Sequence, residues 1–191
     1  MPPHGSPGDA KHRPETRAGQ RERCREERIR QCWKEEITRL RTMARSEFKL
    51  LLAAIREHRD LAARLDLMVS VEGVGLKTAV DVLIRMPEIG SLSREEATAL
   101  AGLAPYDDDS GTRTGQRHIS GGRERLRTSL YAAALPAAFK WNPQLIAFYR
   151  RLIAKGKSHK QALVACARKL LIFLNTVVAR RTPWASNPAE V

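Results

Sequence analysis

From about Arg21 to about Leu67 the chain is dense in Arg and Glu, and apolar residues recur at Ile29, Trp33, Ile37 and Leu40, then at Leu51, Ile55, Ala62 and Leu65. Most of these intervals are three, four or seven, which is helical periodicity. A narrow apolar seam between mixed charges predicts one or two long helices over 21–67. They would form a coiled-coil-like arm that pairs with itself or with another chain. A solvated charged helix with one packed stripe fits the same pattern equally well. His58 falls on the charged side and reads as a surface histidine.

Beyond the arm the period continues, but the pattern turns richer in aliphatic residues. In LMVSVEGVGLKTAVDVLIRMPEIG, Gly73-Val74-Gly75 interrupts two apolar helical patterns, with Ala79, Val82 and Leu83 on one face of the second. The glycines permit a tight hairpin with positive φ. The start of the second helix then offers backbone N–H groups to a phosphate, with Lys77 adding charge beside them. This resembles a helix-hairpin-helix motif; a plain helical hairpin used as scaffold is the competing reading. Met86-Pro87 ends the second helix. Ser93 with Glu96 three residues on is a capping-box pattern that starts a short helix stopping at Gly102.

Pro105 to Gly115 is predicted to be a loop. After Gly121-Gly122 a helix runs to about Phe139, kinked or ended by Pro136. Asn142-Pro143 opens the next helix, with Leu145, Phe148, Leu152 and Ile153 as its buried stripe and Gly156 as its stop. Ser158 caps a last, strongly apolar helix that reads as the central core helix. Trp141 and Trp184 read as packing residues. No strand is needed. The fold class expected is therefore all-α: a compact helical domain over 68–184 containing the hairpin, preceded by the arm over 21–67. The Pro-, Gly- and charge-rich residues 1–20 are expected to be disordered, and 185–191 to be a tail.

Composition narrows the partners. Lys and Arg number 34 against 21 Asp and Glu, a formal charge of +13, and the pI is near 10.4. Such a balance points first to a polyanion such as DNA or RNA. The most apolar stretches, Tyr131–Phe139 and Leu170–Ala179, are short, so no membrane span is expected. With no signal-peptide pattern at the N-terminus, a cytoplasmic, nucleoid-associated protein is expected. Cys24, Cys32 and Cys166 lack CxxC spacing and read as free thiols, not as a disulfide framework or zinc site.

The candidate chemistry lies in LAGLAPYDDDSGTRTGQRHISGGRERLRTSLYAAAL. Ser110 stands beside Gly111, where a phosphate can approach closely, and Arg113, Arg117, Arg123 and Arg127 follow. The planar guanidinium fork matches phosphate geometry. Asp107, Asp108 and Asp109 could hold Mg²⁺ from a loop, but a solvated acidic turn suits three adjacent carboxylates better. From local sequence alone, Ser110 is an ordinary serine beside a turn glycine. Lys155, Lys157, His159 and Lys160 form a basic corner in which His159 is not read as a catalytic base.

The order GVGLKTA, LAGLAPYDDDSG, GQRHISGGRERLRTSLYAAAL and NPQLIAFYRRLIAKGKSHKQALVACARKLLIFLNTVVARRTPW resembles the C-terminal domain of insertion sequence 110 family transposases, relatives of the pilin-gene invertase. The resemblance covers about Leu65 to Trp184. It implies that Ser110 is a nucleophile for DNA strand cleavage and transfer, with Gly111 as its partner. It further implies that Arg117, Arg123 and Arg127 stabilise phosphate, and that Gly73, Gly75 and Lys77, together with Gly111 and Arg113, contact DNA. In that family an N-terminal RuvC-like domain with four acidic residues binds Mg²⁺, and a structured guide RNA pairs with donor and target DNA. No such domain is legible ahead of the arm, so the chain reads as a truncated or split part of the enzyme. It is expected to bind no metal itself and to act with Mg²⁺ only when a RuvC-like domain complements it. The expected partners are DNA, guide RNA, and a second copy or a full-length transposase. A non-catalytic nucleic-acid-binding or oligomerising module is the alternative.

Overall fold

The periodic segments fold as helices in the computed structural model, which describes residues 17–106, 118–119 and 121–185. Helix α1 spans Arg17–Glu57 and α2 spans Arg59–Val69, separated at the exposed His58. The chain divides into two compact units, residues 1–51 and 52–191. In the first unit α1 leaves Ile29, Trp33, Ile37, Leu40 and Met43 exposed along its length. Its charged groups satisfy one another locally, as in the bidentate Arg39–Glu36 pair one turn apart. In the second unit α2, which the charge pattern had grouped with the arm, packs against α3 (Leu76–Arg85) and α7 (His159–Arg180).

The remaining elements follow from their caps. Ser93 accepts from Glu96 N while Glu96 accepts from Ser93 N, which starts α4 at Arg94–Leu100. Helix α5 spans Glu124–Pro136, and at Pro136 the α-helix gives way to a π-helical turn over Ala137–Trp141. A proline's missing N–H and ring bulk make this change of pitch the expected response. Asn142 caps α6 (Pro143–Ala154) by accepting from Leu145 N at 3.1 Å. A second reciprocal box, Ser158 with Gln161, starts α7. The all-α class holds. Among the described residues, strand structure is confined to a two-residue antiparallel pairing of β1 (Pro105–Tyr106) with β2 (His118–Ile119), where the sequence pattern calls for none.

The core centres on α7, which packs against α2, α4, α5 and α6. Leu163, Cys166, Leu170, Leu171 and Leu174 are buried in it. Contrary to the sequence expectation of short apolar runs, α7 is long and apolar enough to cross a membrane by length and composition, but over half of that stretch is buried by the other helices. That is the burial a central core helix requires. Asn175, buried within the same helix, accepts from Gly90 N at 2.8 Å and donates to Leu92 O at 2.7 Å, pinning the connection that follows α3. Two packing expectations are corrected. Ile153, assigned to the buried stripe of α6, is exposed, because only Leu145 on that helix is fully enclosed. Trp141 is 56% exposed, whereas Trp184 does pack, its ring centroid 4.3 Å from that of Phe173.

Candidate nucleic-acid interface

The connection from α2 to α3 is anchored by buried Val71 and Val74, with Val74 N donating to Val71 O. Gly73 has φ +90°, and a Cβ there would collide with Ala137 in the π-helical turn. Gly75 differs from the sequence expectation. Its φ is −88°, a conformation open to any residue, and an added Cβ would meet nothing within 4 Å. What Gly75 provides is open space at the N-cap of α3, where no side chain caps the helix. The amides of the first turn therefore face outward with the positive end of the helix dipole, and exposed Lys77 stands among them. The buried Asn142 donates to Glu72 O at 3.2 Å, so the π-helical turn and the connection hold each other.

At the opposite end of α3 a second construction gathers. Gly102, Gly121 and Gly122 all have positive φ, and a Cβ on Gly102 or Gly122 would strike the facing glycine backbone. Arg123 N donates to Leu100 O at 2.8 Å, joining the start of α5 to the end of α4. The β1–β2 pairing lies beside this junction, and residues 107–117 connect the two strands. Ser110, Gly111, Arg113, Arg117 and the triplet Asp107–Asp109 fall in that connection and lie outside the described residues.

The two arginines of the cluster that are described have partners. Arg123 forks onto Glu88 at 2.8 and 2.9 Å and also donates to Arg85 O at 2.8 Å. That contact, together with a hydrogen bond from its own backbone, holds the Glu88 carboxyl down at about 2. Arg127 donates to Gly121 O. Both side chains thus stitch together the base from which residues 107–117 leave. The structure separates Arg123 from the open helix end at Lys77 by the length of α3, ten residues, or roughly 15 Å at 1.5 Å per residue. Helix α5 runs antiparallel to α3, since Arg123 sits at the far end of α3 and Ala137 meets Gly73.

Other nominated chemistry is accounted for. His159 Nδ1 lies 2.7 Å from the Tyr149 hydroxyl and its ring stacks on Phe139. Cys166 is free and buried, and burial pushes its thiol up to about 11. Among the described residues no three His, Cys, Asp or Glu side chains converge as metal ligands. A cleft of about 640 Å³ between α2, Pro87–Ser91 and the end of α7 contains the Arg64–Asp60 ion pair but none of the nominated residues. Sequence reasoning missed Glu88, Asn175 and the bond from Asn142 to Glu72 O, contacts whose partners are far along the chain. It also missed one charge feature that was visible: from Arg125 to Ala189 there are twelve Lys and Arg and no Asp or Glu.

Residues 65–150 match the model of the transposase IS116/IS110/IS902 family. Over this segment the chain is similar to that transposase family. The chain is 30% identical over 128 residues to the pilin gene-inverting proteins of Moraxella bovis and Moraxella lacunata, covering 65% of this chain and 40% of each relative. It is 32% identical over 127 residues to the insertion element IS110 uncharacterized 43.6 kDa protein of Streptomyces coelicolor, covering 65% of this chain and 31% of that protein. The match thus spans less than half the length of these relatives. The family segment contains the α2–α3 connection, the three-glycine junction, residues 107–117 and Arg123 to Arg127.

Proposed function

We propose that this chain is the DNA-gripping, serine-bearing part of a transposase or site-specific recombinase. The carrying observation is the coincidence of the family match with an uncapped, open helix end at Gly75–Lys77, in a chain of formal charge +13. The α2–α3 pair acts as a helix-hairpin-helix that holds a phosphate without reading a base. Ser110 Oγ attacks a DNA phosphodiester: a bond from phosphorus to Oγ forms, the bond to the leaving strand oxygen breaks, and that oxygen takes a proton. The covalent phosphoserine conserves the phosphodiester for rejoining to a new strand. A serine hydroxyl is a weak nucleophile at its own pKa and needs a base or metal to deprotonate it. None of the described residues is assigned that task. It falls to the Mg²⁺-binding domain of a full-length partner, with guide RNA selecting the DNA in a bacterial nucleoid. Arg113 and Arg117 supply charge at the reacting phosphate, while Arg123 and Arg127 position the segment they flank.

The engagement of Arg123 by Glu88 favours one second reading, a non-catalytic nucleic-acid-binding module. The apolar stripe of α1 supports self-association under either reading. The test is denaturing-gel detection of a protein–DNA adduct, with duplex DNA, Mg²⁺ and guide RNA, with and without a full-length relative whose own serine is mutated. An adduct abolished by Ser110→Ala is expected. Salt-sensitive binding with no adduct in either arm would leave the binding module.

A further inference from the structure

Two large aromatic side chains stand exposed on the π-helical turn, Phe139 at 48% and Trp141 at 56%. Their situations differ. Phe139 already has ring partners: His159 stacked at 6.0 Å and Tyr149 edge-on at 5.0 Å between centroids. Trp141 has no aromatic partner among the described residues; only the Lys140 ammonium lies over its ring, 4.8 Å from the centroid. An exposed indole offers a flat apolar face with a polar edge, a shape suited to contact.

The turn that carries Trp141 is fixed against the proposed phosphate grip. Ala137 at its start meets Gly73, and Asn142, directly after Trp141, bonds to Glu72 O and is fully buried. The backbone on both sides of the indole is thereby immobilised, which suits a platform better than a mobile side chain would. The chain that carries it is strongly basic, with twelve cations and no carboxylate from Arg125 to Ala189, and Lys140 lies directly over the ring, while Glu72 of the connection is the acidic residue that Asn142 brings near. A hydrophobic protein partner would be opposed by that charge, whereas a polyanion with flat aromatic faces meets both features.

We infer that Trp141 is a stacking platform for an unpaired DNA base, adjacent to the phosphate held at the start of α3. In a closed duplex both faces of a base are covered by its neighbours, so the occupant must be an unstacked base, with Lys140 close to the flanking phosphate. Stacking of this kind tolerates any base, because every base offers a π-face. The inference rests on the DNA-binding reading of the hairpin and adds to it the strand state that the protein prefers.

The test is fluorescence anisotropy with labelled single-stranded DNA, RNA and blunt duplex DNA of equal length, for wild type, Trp141→Ala, Trp141→Phe and Lys77→Ala. Expected for Trp141→Ala is a loss of about tenfold for single-stranded DNA, with duplex affinity within about twofold and recovery in Trp141→Phe. Lys77→Ala should weaken both DNA forms. An equal loss on duplex, no loss on the single strand, or tighter binding of RNA than of DNA would overturn the platform while leaving duplex binding intact. A wild type that binds no DNA would overturn both readings. Light scattering supplies the remaining outcome: a change of oligomeric state in Trp141→Ala would make the indole a protein contact and overturn the inference. Because Trp141 is exposed, circular dichroism of the variants should match wild type.

Discussion

The Arg123 guanidinium closes on both carboxylate oxygens of Glu88 and, through one of the same nitrogens, on the carbonyl of Arg85. An arginine legible as a phosphate ligand is thus the tie between the end of α3 and the start of α5. Its pH dependence has a definite sign. The Glu88 carboxyl lies at about 2 in the folded protein against an ordinary 4.5, chiefly through the bond from Arg123. A depressed carboxylate contributes stability that is fully present above its unfolded value and lost as pH falls through its folded value. Urea midpoints of wild type and Glu88→Gln should therefore differ at pH 6 and converge as the pH falls from 4.5 toward 2. A gap that persists at low pH would mean the tie does not depend on the Glu88 charge.

The two glycines of the hairpin should respond oppositely to a methyl group. At Gly73 alanine would face both a positive φ and collision with Ala137. Left-handed strain and overpacking together cost roughly 2–4 kcal/mol. At Gly75 the backbone is ordinary and the space open, so alanine should cost only about 0.5 kcal/mol as a poorer N-cap. Thermal denaturation of the two variants checks the ranking, and equal losses would show that Gly75 is also sterically required.

Lys77 stands exposed at the uncapped end of α3. If it meets a phosphate, Lys77→Ala should reduce the slope of log affinity against log salt by about 0.9 and weaken all duplex sequences alike. Titrations at several salt concentrations would measure this. A sequence-dependent loss, or an unchanged slope, would remove the phosphate contact.

Much of the scaffold was legible because its signals are local. Ser93 with Glu96, Asn142 before Pro143, and Pro136 each act within a few residues, and each element began or changed where those residues required. What stayed hidden depends on contacts across the chain. Arg123 could be recognised as a phosphate-type arginine, but not as the partner of Glu88, 35 residues away. Gly75 reads in sequence as a positive-φ residue because glycine permits that conformation, yet sequence does not reveal whether a glycine serves its backbone angle or the space beside it. Trp141 was assigned to packing on residue type, although the turn that exposes it arises from the change of helical pitch after Pro136.

Cys166 and Cys32 should differ sharply toward thiol reagents. Cys166 is buried on α7, and burial raises its thiol to about 11, with Lys169 opposing the rise only in part. The thiolate is the reactive form, so Cys166 should stay unmodified in the native protein at neutral pH. Cys32 lies exposed on α1 and should be alkylated. Mass spectrometry after iodoacetamide treatment reads both sites. Modification of Cys166 at the rate of Cys32 would mean that α7 opens readily.

The exposed stripe of α1 sets the last expectation. Ile29, Trp33, Ile37 and Leu40 recur at four, four and three residues and are all exposed. One face of a long helix is thereby apolar along several turns. Local ion pairs such as Arg39–Glu36 stabilise an isolated helix by only a few tenths of a kcal/mol each, so a helix of this length gains more from burying its apolar face. A second copy offers the same stripe and is the occupant that needs no further component. Ile37→Asp combined with Leu40→Asp should convert a dimer to a monomer in light scattering, while leaving the folded signal of residues 52–191 in place. A wild-type monomer at high concentration would show instead that this face meets a different chain.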